Sequence, residues 1–152
     1  MAKTTYDSPA DLLAAVGDTY GPTEWIEITQ ERINTFADAT DDHQWIHVNV
    51  ERAKAGPFGA PIAHGYLTLS MCARFLFELC EVKNAAMGIN YGVNKARFPA
   101  PVRVTSRIRA RGDLAEATEV AGGVQIVVRV TVEIEGSEKP AAVIETVSRY
   151  LS

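Results

Sequence analysis

With 152 residues, 47% of them hydrophobic and 22% charged, the chain has the composition of one ordinary globular domain, residues 1–152; two domains would leave each half too small for a sound core. A formal charge of −4 argues against a nucleic-acid partner, since phosphate-backbone affinity is built from clustered Lys and Arg. No stretch approaches the roughly 20 apolar residues of a membrane span, and Met1-Ala2-Lys3-Thr4-Thr5 carries no apolar leader core, so a cytoplasmic protein with no membrane partner is expected.

Ser8 is placed to cap a short helix over residues 11–16 that Gly17 ends, and Gly21-Pro22 turns the chain into an alternating strand over residues 24–28. Thr29 caps a second helix that carries Ile33, Phe36 and Ala37 inward at 3, 4 spacing. The polar run Thr40-Asp41-Asp42-His43-Gln44 then opens a loop. Asn49 caps another short helix over residues 50–54, and Gly56-Pro57-Phe58-Gly59-Ala60-Pro61 forms the next loop.

Residues 62–82 follow as one helix, buried nearly all round. Ser70, Arg74 and Glu78 make a single narrow polar stripe, while Leu67, Met71, Phe75, Phe77 and Leu79 are among the residues covering the rest. Cys72 and Cys80 lie in this run about 12 Å apart by helical rise, too far for a disulfide, so both are expected as buried thiols.

The second half changes period. Val102, Val104, Ser106, Ile108 and Ala110 alternate with Arg103, Thr105, Arg107, Arg109 and Arg111, and Val124 to Ile134 alternates likewise. Residues 136–140 supply a turn and residues 141–150 a last strand; the short connections make the sheet antiparallel. A long buried helix followed by consecutive strands predicts an α+β fold, a curved antiparallel sheet wrapped around a central helix. Neither a Gly-x-Gly-x-x-Gly nor a Walker pattern occurs, which removes the common nucleotide sites and leaves no cofactor expected.

Two carboxylates and two imidazoles crowd the segment Asp41-Asp42-His43-Gln44-Trp45-Ile46-His47. A metal is one use for them, but no HExxH helix and no cysteine pair completes a recognised site. General acid–base chemistry is a second use: the spacing of Asp42 and His47 lets a carboxylate and an imidazole converge on one water. Alternatively, all four are capping and solvated loop residues. A second segment, Pro61-Ile62-Ala63-His64-Gly65-Tyr66, shifts the balance toward chemistry. Gly65 opens a buried helix, where free N–H groups and the positive dipole end suit an oxyanion, although the same glycine also permits tight packing.

Together these segments resemble the MaoC-like dehydratases, the hydratase 2 group of (R)-specific enoyl-CoA hydratases, and most closely the nodulation protein N-like branch. The family motif Ser-Gly-Asp-x-Asn-Pro-Leu-His aligns without gaps onto Thr40-Asp41-Asp42-His43-Gln44-Trp45-Ile46-His47. Asp41 stands where the motif has glycine, and Gln44 and Trp45 where it has Asn and Pro. Arg97-Phe98-Pro99-Ala100-Pro101-Val102 matches a further family stretch after the helix, and this part looks structural.

The resemblance implies a single hot-dog fold, a homodimer, and reversible hydration of trans-2-enoyl-CoA to (R)-3-hydroxyacyl-CoA, a lyase activity of fatty acyl metabolism in which CoA is part of the substrate. Asp42 and His47 would be the catalytic pair and the Gly65 N–H the oxyanion donor; His64 would shape the turn into the helix and, with Trp45, Phe58 and Tyr66, border the substrate. The three aromatics also serve as ordinary core residues. Arg103, Arg107, Arg109 and Arg111 are explained at least as well by a solvated face as by CoA phosphates. Because hot-dog domains also host thioesterases, hydrolysis of an acyl-CoA and non-catalytic binding of an acyl thioester remain the alternatives.

Overall fold

The computed structural model describes residues 3–152. The elements run β1 (Thr4–Tyr6), a 3-10 helix (Pro9–Ala14), β2 (Thr19–Tyr20), β3 (Ile26–Glu27), α1 (Gln30–Thr40), α2 (Trp45–Val48), α3 (Val50–Lys54), α4 (Gly65–Leu79), β4 (Cys80–Val82), β5 (Met87–Arg97), β6 (Arg107–Val120), β7 (Gly123–Ile134) and β8 (Ala142–Leu151).

Alternation in β7 buries Val124, Ile126, Val128, Val130 and Val132, and this strand lies between β6 and β8 at the middle of an antiparallel sheet ordered β2-β6-β7-β8-β5, with β3 on β6 as well. Register shifts at Leu114/Glu116 in β6, and at Asn90/Gly92 and Val93/Lys95 in β5, bend the strands and curve the sheet. Leu67, Met71, Cys72, Phe75 and Leu79 of α4 sit in the concavity in one cluster with the inward residues of β6, β7 and β8. Each large side chain buried there contributes about 1.5–3 kcal/mol. This is the hot-dog arrangement, an α+β fold whose central helix carries its N-terminus to one end of the sheet.

Tertiary hydrogen bonds, which no local pattern reveals, move several boundaries. The helix expected over residues 62–82 shortens to α4: Ile62 N–H bonds to Ile46 O at 3.0 Å and Ala63 N–H to Val102 O at 2.7 Å, holding that stretch extended. At the other end Cys80–Val82 pairs in parallel with β1. Cys72 and Cys80 therefore do not share a helix, though both are free and buried as expected. Nor is α4 buried all round, since Tyr66 is 71% and Phe77 73% exposed.

The strand expected from residue 102 begins at Arg107, because residues 103–106 turn through Thr105 at φ 72°, and it runs on to Val120. Strand β5 was not foreseen: Gly88, Asn90, Gly92 and Asn94 weaken its pattern, and nearly all of it is exposed on the sheet edge. The first predicted helix is a 3-10 helix ending at Ala14, and the predicted strand at residues 24–28 reduces to Ile26–Glu27. Among the described residues no helix is long and apolar enough to cross a membrane.

Candidate active site

Helix α1 starts where the Thr29 hydroxyl accepts from Arg32 N–H at 3.1 Å, as its capping position predicts. It ends at Asp41, whose φ of 61° and ψ of 22° are left-handed. That conformation favours glycine, and Asp is among the few other residues that tolerate it. Asp41 thus follows the backbone path a glycine would take, and the chain reverses into the loop holding Asp42. The Asp42 side chain is exposed, and its Oδ1 accepts from Gln44 N–H at 3.4 Å.

A single helical turn, α2, separates this loop from α3, which Asn49 caps as expected by accepting from Arg52 N–H at 3.1 Å. The turn directs His47 inward, where it is 6% exposed. His47 Nδ1 lies 2.7 Å from Ile62 O, and a carbonyl only accepts, so Nδ1 bears the proton and Nε2 keeps its lone pair. Gln30 of α1 steadies the same residue by donating to His47 O at 2.8 Å. Burial pushes the His47 imidazole below its ordinary value of 6.5; the Ile62 hydrogen bond opposes this, His64 adds to it, and the Asp42 carboxylate opposes it.

His64 and Gly65 arrive from the start of α4. The His64 ring is 2% exposed and stacks on His47 with centroids 3.8 Å apart and planes at 21°. Its Nε2 donates to Asp42 O at 2.9 Å. In α4 the N–H groups of Leu67 and Thr68 return to His64 O, whereas Gly65 precedes them and its N–H is one that a helix cannot satisfy internally. A β-carbon on Gly65 would come within 3.3 Å of the Phe98 ring, so an aromatic ring lies over this N-terminus. Phe98 is a contact that sequence reasoning missed, having assigned its motif to structure alone.

One ligand-capable atom each from Asp42, His47 and His64 lie within 4.8 Å of one another. A single water hydrogen-bonded at about 2.8 Å to each of two groups bridges such a separation. A metal fits the arrangement poorly: imidazole lone pairs lie in the ring plane, and two rings stacked 3.8 Å apart at 21° keep theirs in separate, nearly parallel planes.

Asp42, His47, His64 and Gly65 are thus brought together. His43 is not among them; its Nε2 pairs with Asp38 at 2.9 Å on the surface, which raises its pKa. Trp45 is half-buried beneath the Arg52 guanidinium at 4.2 Å and against Gly56, Phe58 is half-buried, and Tyr66 is exposed beside Gly65. On β6 Arg107 pairs with Glu135 just beyond β7, while Arg109 and Arg111 lie 3.4 Å and 2.7 Å from Glu133 of β7. Arg107 and Arg111 are solvated, whereas Arg109 is partly buried over the Trp25 ring at 4.3 Å.

Residues 11–136 match the MaoC like domain. The chain belongs to the MaoC-like dehydratase family. Within it, the chain is 53% identical over 149 residues to 3-hydroxyacyl-thioester dehydratase Z of Mycobacterium tuberculosis, covering 97% of this chain and 99% of that one. It is 44% identical to nodulation protein N of Rhizobium leguminosarum bv. viciae, across 88% of this chain and 85% of the other. The solved (R)-hydratase from A. caviae superposes with a TM-score of 0.73 at 20% identity, covering 89% of this chain and 96% of the hydratase, a likeness of fold.

Proposed function

We propose that this MaoC-like dehydratase adds water reversibly to a trans-2-enoyl thioester, yielding the (R)-3-hydroxyacyl thioester. The observation that carries this is the pairing of the Asp42 carboxylate with a His47 whose Nδ1 is engaged and whose Nε2 is open. A water held between them gives one proton to Asp42 and directs its other O–H to His47 Nε2, while its oxygen bonds to C3. The C2–C3 electron pair moves into an enolate whose oxygen is stabilised by the Gly65 N–H, and a proton returned from the Asp42/His47 pair to C2 completes the addition.

The chain supplies every group this sequence needs, and CoA enters only as part of the substrate. Tyr66 and Phe98 border the thioester at Gly65, and Trp45 and Phe58 line the path beyond it. The active form is a homodimer. Support comes from β5, an 11-residue edge strand with exposed Met87, Ile89, Tyr91 and Val93 and a free row of backbone groups.

The test follows crotonyl-CoA and octenoyl-CoA at the enoyl absorbance, with free thiol measured in parallel and the product resolved by chirality. Loss of absorbance without thiol, giving the (R) product, is expected. Thiol release with the enoyl group intact would establish a thioesterase instead, and silence on both with ligand retained would establish a binding protein.

The pH dependence follows from the neutral His47. Its folded-state pKa lies below 6.5, so the acid limb of kcat/KM is expected below pH 6.5. Stability should fall over the same window: as pH drops from about 6.5 toward the lower folded value, the unfolded chain takes up the proton first and is favoured. Thermal midpoints and kcat/KM recorded across pH 4–8 check both; an acid limb above 6.5 would contradict a neutral His47.

A further inference from the structure

Three separate elements supply the reacting groups: the loop after α1 carries Asp42, α2 carries His47, and the start of α4 carries Gly65. One side chain reaches across all three. His64 donates from Nε2 to the Asp42 carbonyl at 2.9 Å, stacks on His47 at 3.8 Å, and is the residue immediately before Gly65. Phe36 of α1 packs on it at a centroid distance of 4.9 Å, leaving it 2% exposed.

Its position makes the choice of histidine informative. His64 is the N-cap of α4, where Ser, Thr, Asp or Asn would accept a backbone N–H, yet its side chain makes no capping bond. It reaches instead to a residue 22 positions earlier. Packing alone does not account for it either. Nδ1 is buried with no partner among the described residues, a desolvation cost that a phenyl ring of similar size would not carry.

We propose that His64 is a positioning residue for the hydration put forward above, a buried tie that holds the Asp42 backbone and backs the His47 ring so that both keep one geometry relative to Gly65. The inference rests on that proposed reaction. Its Nε2–H fixes where the carboxylate starts from, and its ring face limits how far His47 tilts. A shift on the order of 1 Å in such a constellation costs up to about a hundredfold in rate.

The experiment compares full-length wild type, His64→Phe, His64→Gln and Asp42→Asn, assayed on crotonyl-CoA and octenoyl-CoA, with circular dichroism as the check on folding. Phe keeps a ring and loses the donor; Gln keeps an amide N–H near the position of Nε2. Folded His64→Phe is expected to lose about 10- to 100-fold in kcat with KM changed less than about threefold, and His64→Gln, which restores the donor without the ring face, to recover part of that loss. In the Asp42→Asn background His64→Phe should add little further, because it acts through Asp42.

Wild-type kcat in folded His64→Phe, or an equal loss in His64→Gln, overturns the role of His64 while leaving hydration intact. A fully additive double variant does the same. If His64→Phe does not fold, His64→Met replaces it under the same criteria. An inactive wild type overturns the reaction and the role of His64 together.

Discussion

Asp42→Asn and His47→Gln are each expected to lower kcat by roughly 10²- to 10⁴-fold, the loss typical of one positioned acid or base. Asn is nearly isosteric with Asp and retains an oxygen to accept the Gln44 N–H, so the loop path should survive while the proton acceptor is gone. Asp42 is exposed, and its variant should melt with the wild type. His47→Gln removes the open ring nitrogen and the stacking partner of His64, so a loss of stability will accompany the loss of rate. Since both groups act on one water, the double variant should fall little below the worse single one. Wild-type rates in folded Asp42→Asn would remove the carboxylate from the mechanism.

The largest effect on stability is expected at Phe75. Its side chain is fully buried in the C-terminal third of α4 and packs into the concave sheet. Phe75→Ala should cost about 3–5 kcal/mol, lowering the melting temperature by roughly 6–20 °C for a chain of this size. Ten residues separate it from Gly65, about 15 Å along the helix, so kcat measured well below the new melting temperature should stay near the wild-type value. A urea midpoint that hardly moves would mean that the sheet closes on the space left behind.

These two predictions draw on different kinds of information in the chain. That Asp42 and His47 meet was legible because they lie within one short segment, and the caps at Thr29 and Asn49 because capping is a local interaction. Strands β7 and β8 were legible because one face of each is buried, which leaves the alternation in the residues themselves. The ends of α4 were not. Val102 and β1 decide them, partners distant in sequence that compete for the same backbone groups.

The site shows the same division. That Gly65 opens a helix is readable in place, but Phe98 over it and the tie from His64 to Asp42 exist only once the chain has folded. The αL conformation of Asp41 is an intermediate case. The substitution for glycine is visible in the residues, whereas its harmlessness to the backbone depends on the observed φ.

Strand β5 has a consequence for how the protein behaves in concentrated solution. An edge of 11 residues with exposed apolar side chains is the kind from which strands add repeatedly, one molecule after another, toward fibrous aggregates. Two bulges interrupt its ladder, at Asn90/Gly92 and Val93/Lys95, and Lys95 and Arg97 place charge near its end. A closed contact between two copies tolerates such irregularities, whereas an unlimited stack of identical strands does not. The bulges that curve the sheet around α4 therefore also guard the protein against polymerisation, and straightening them would endanger solubility before it touched catalysis.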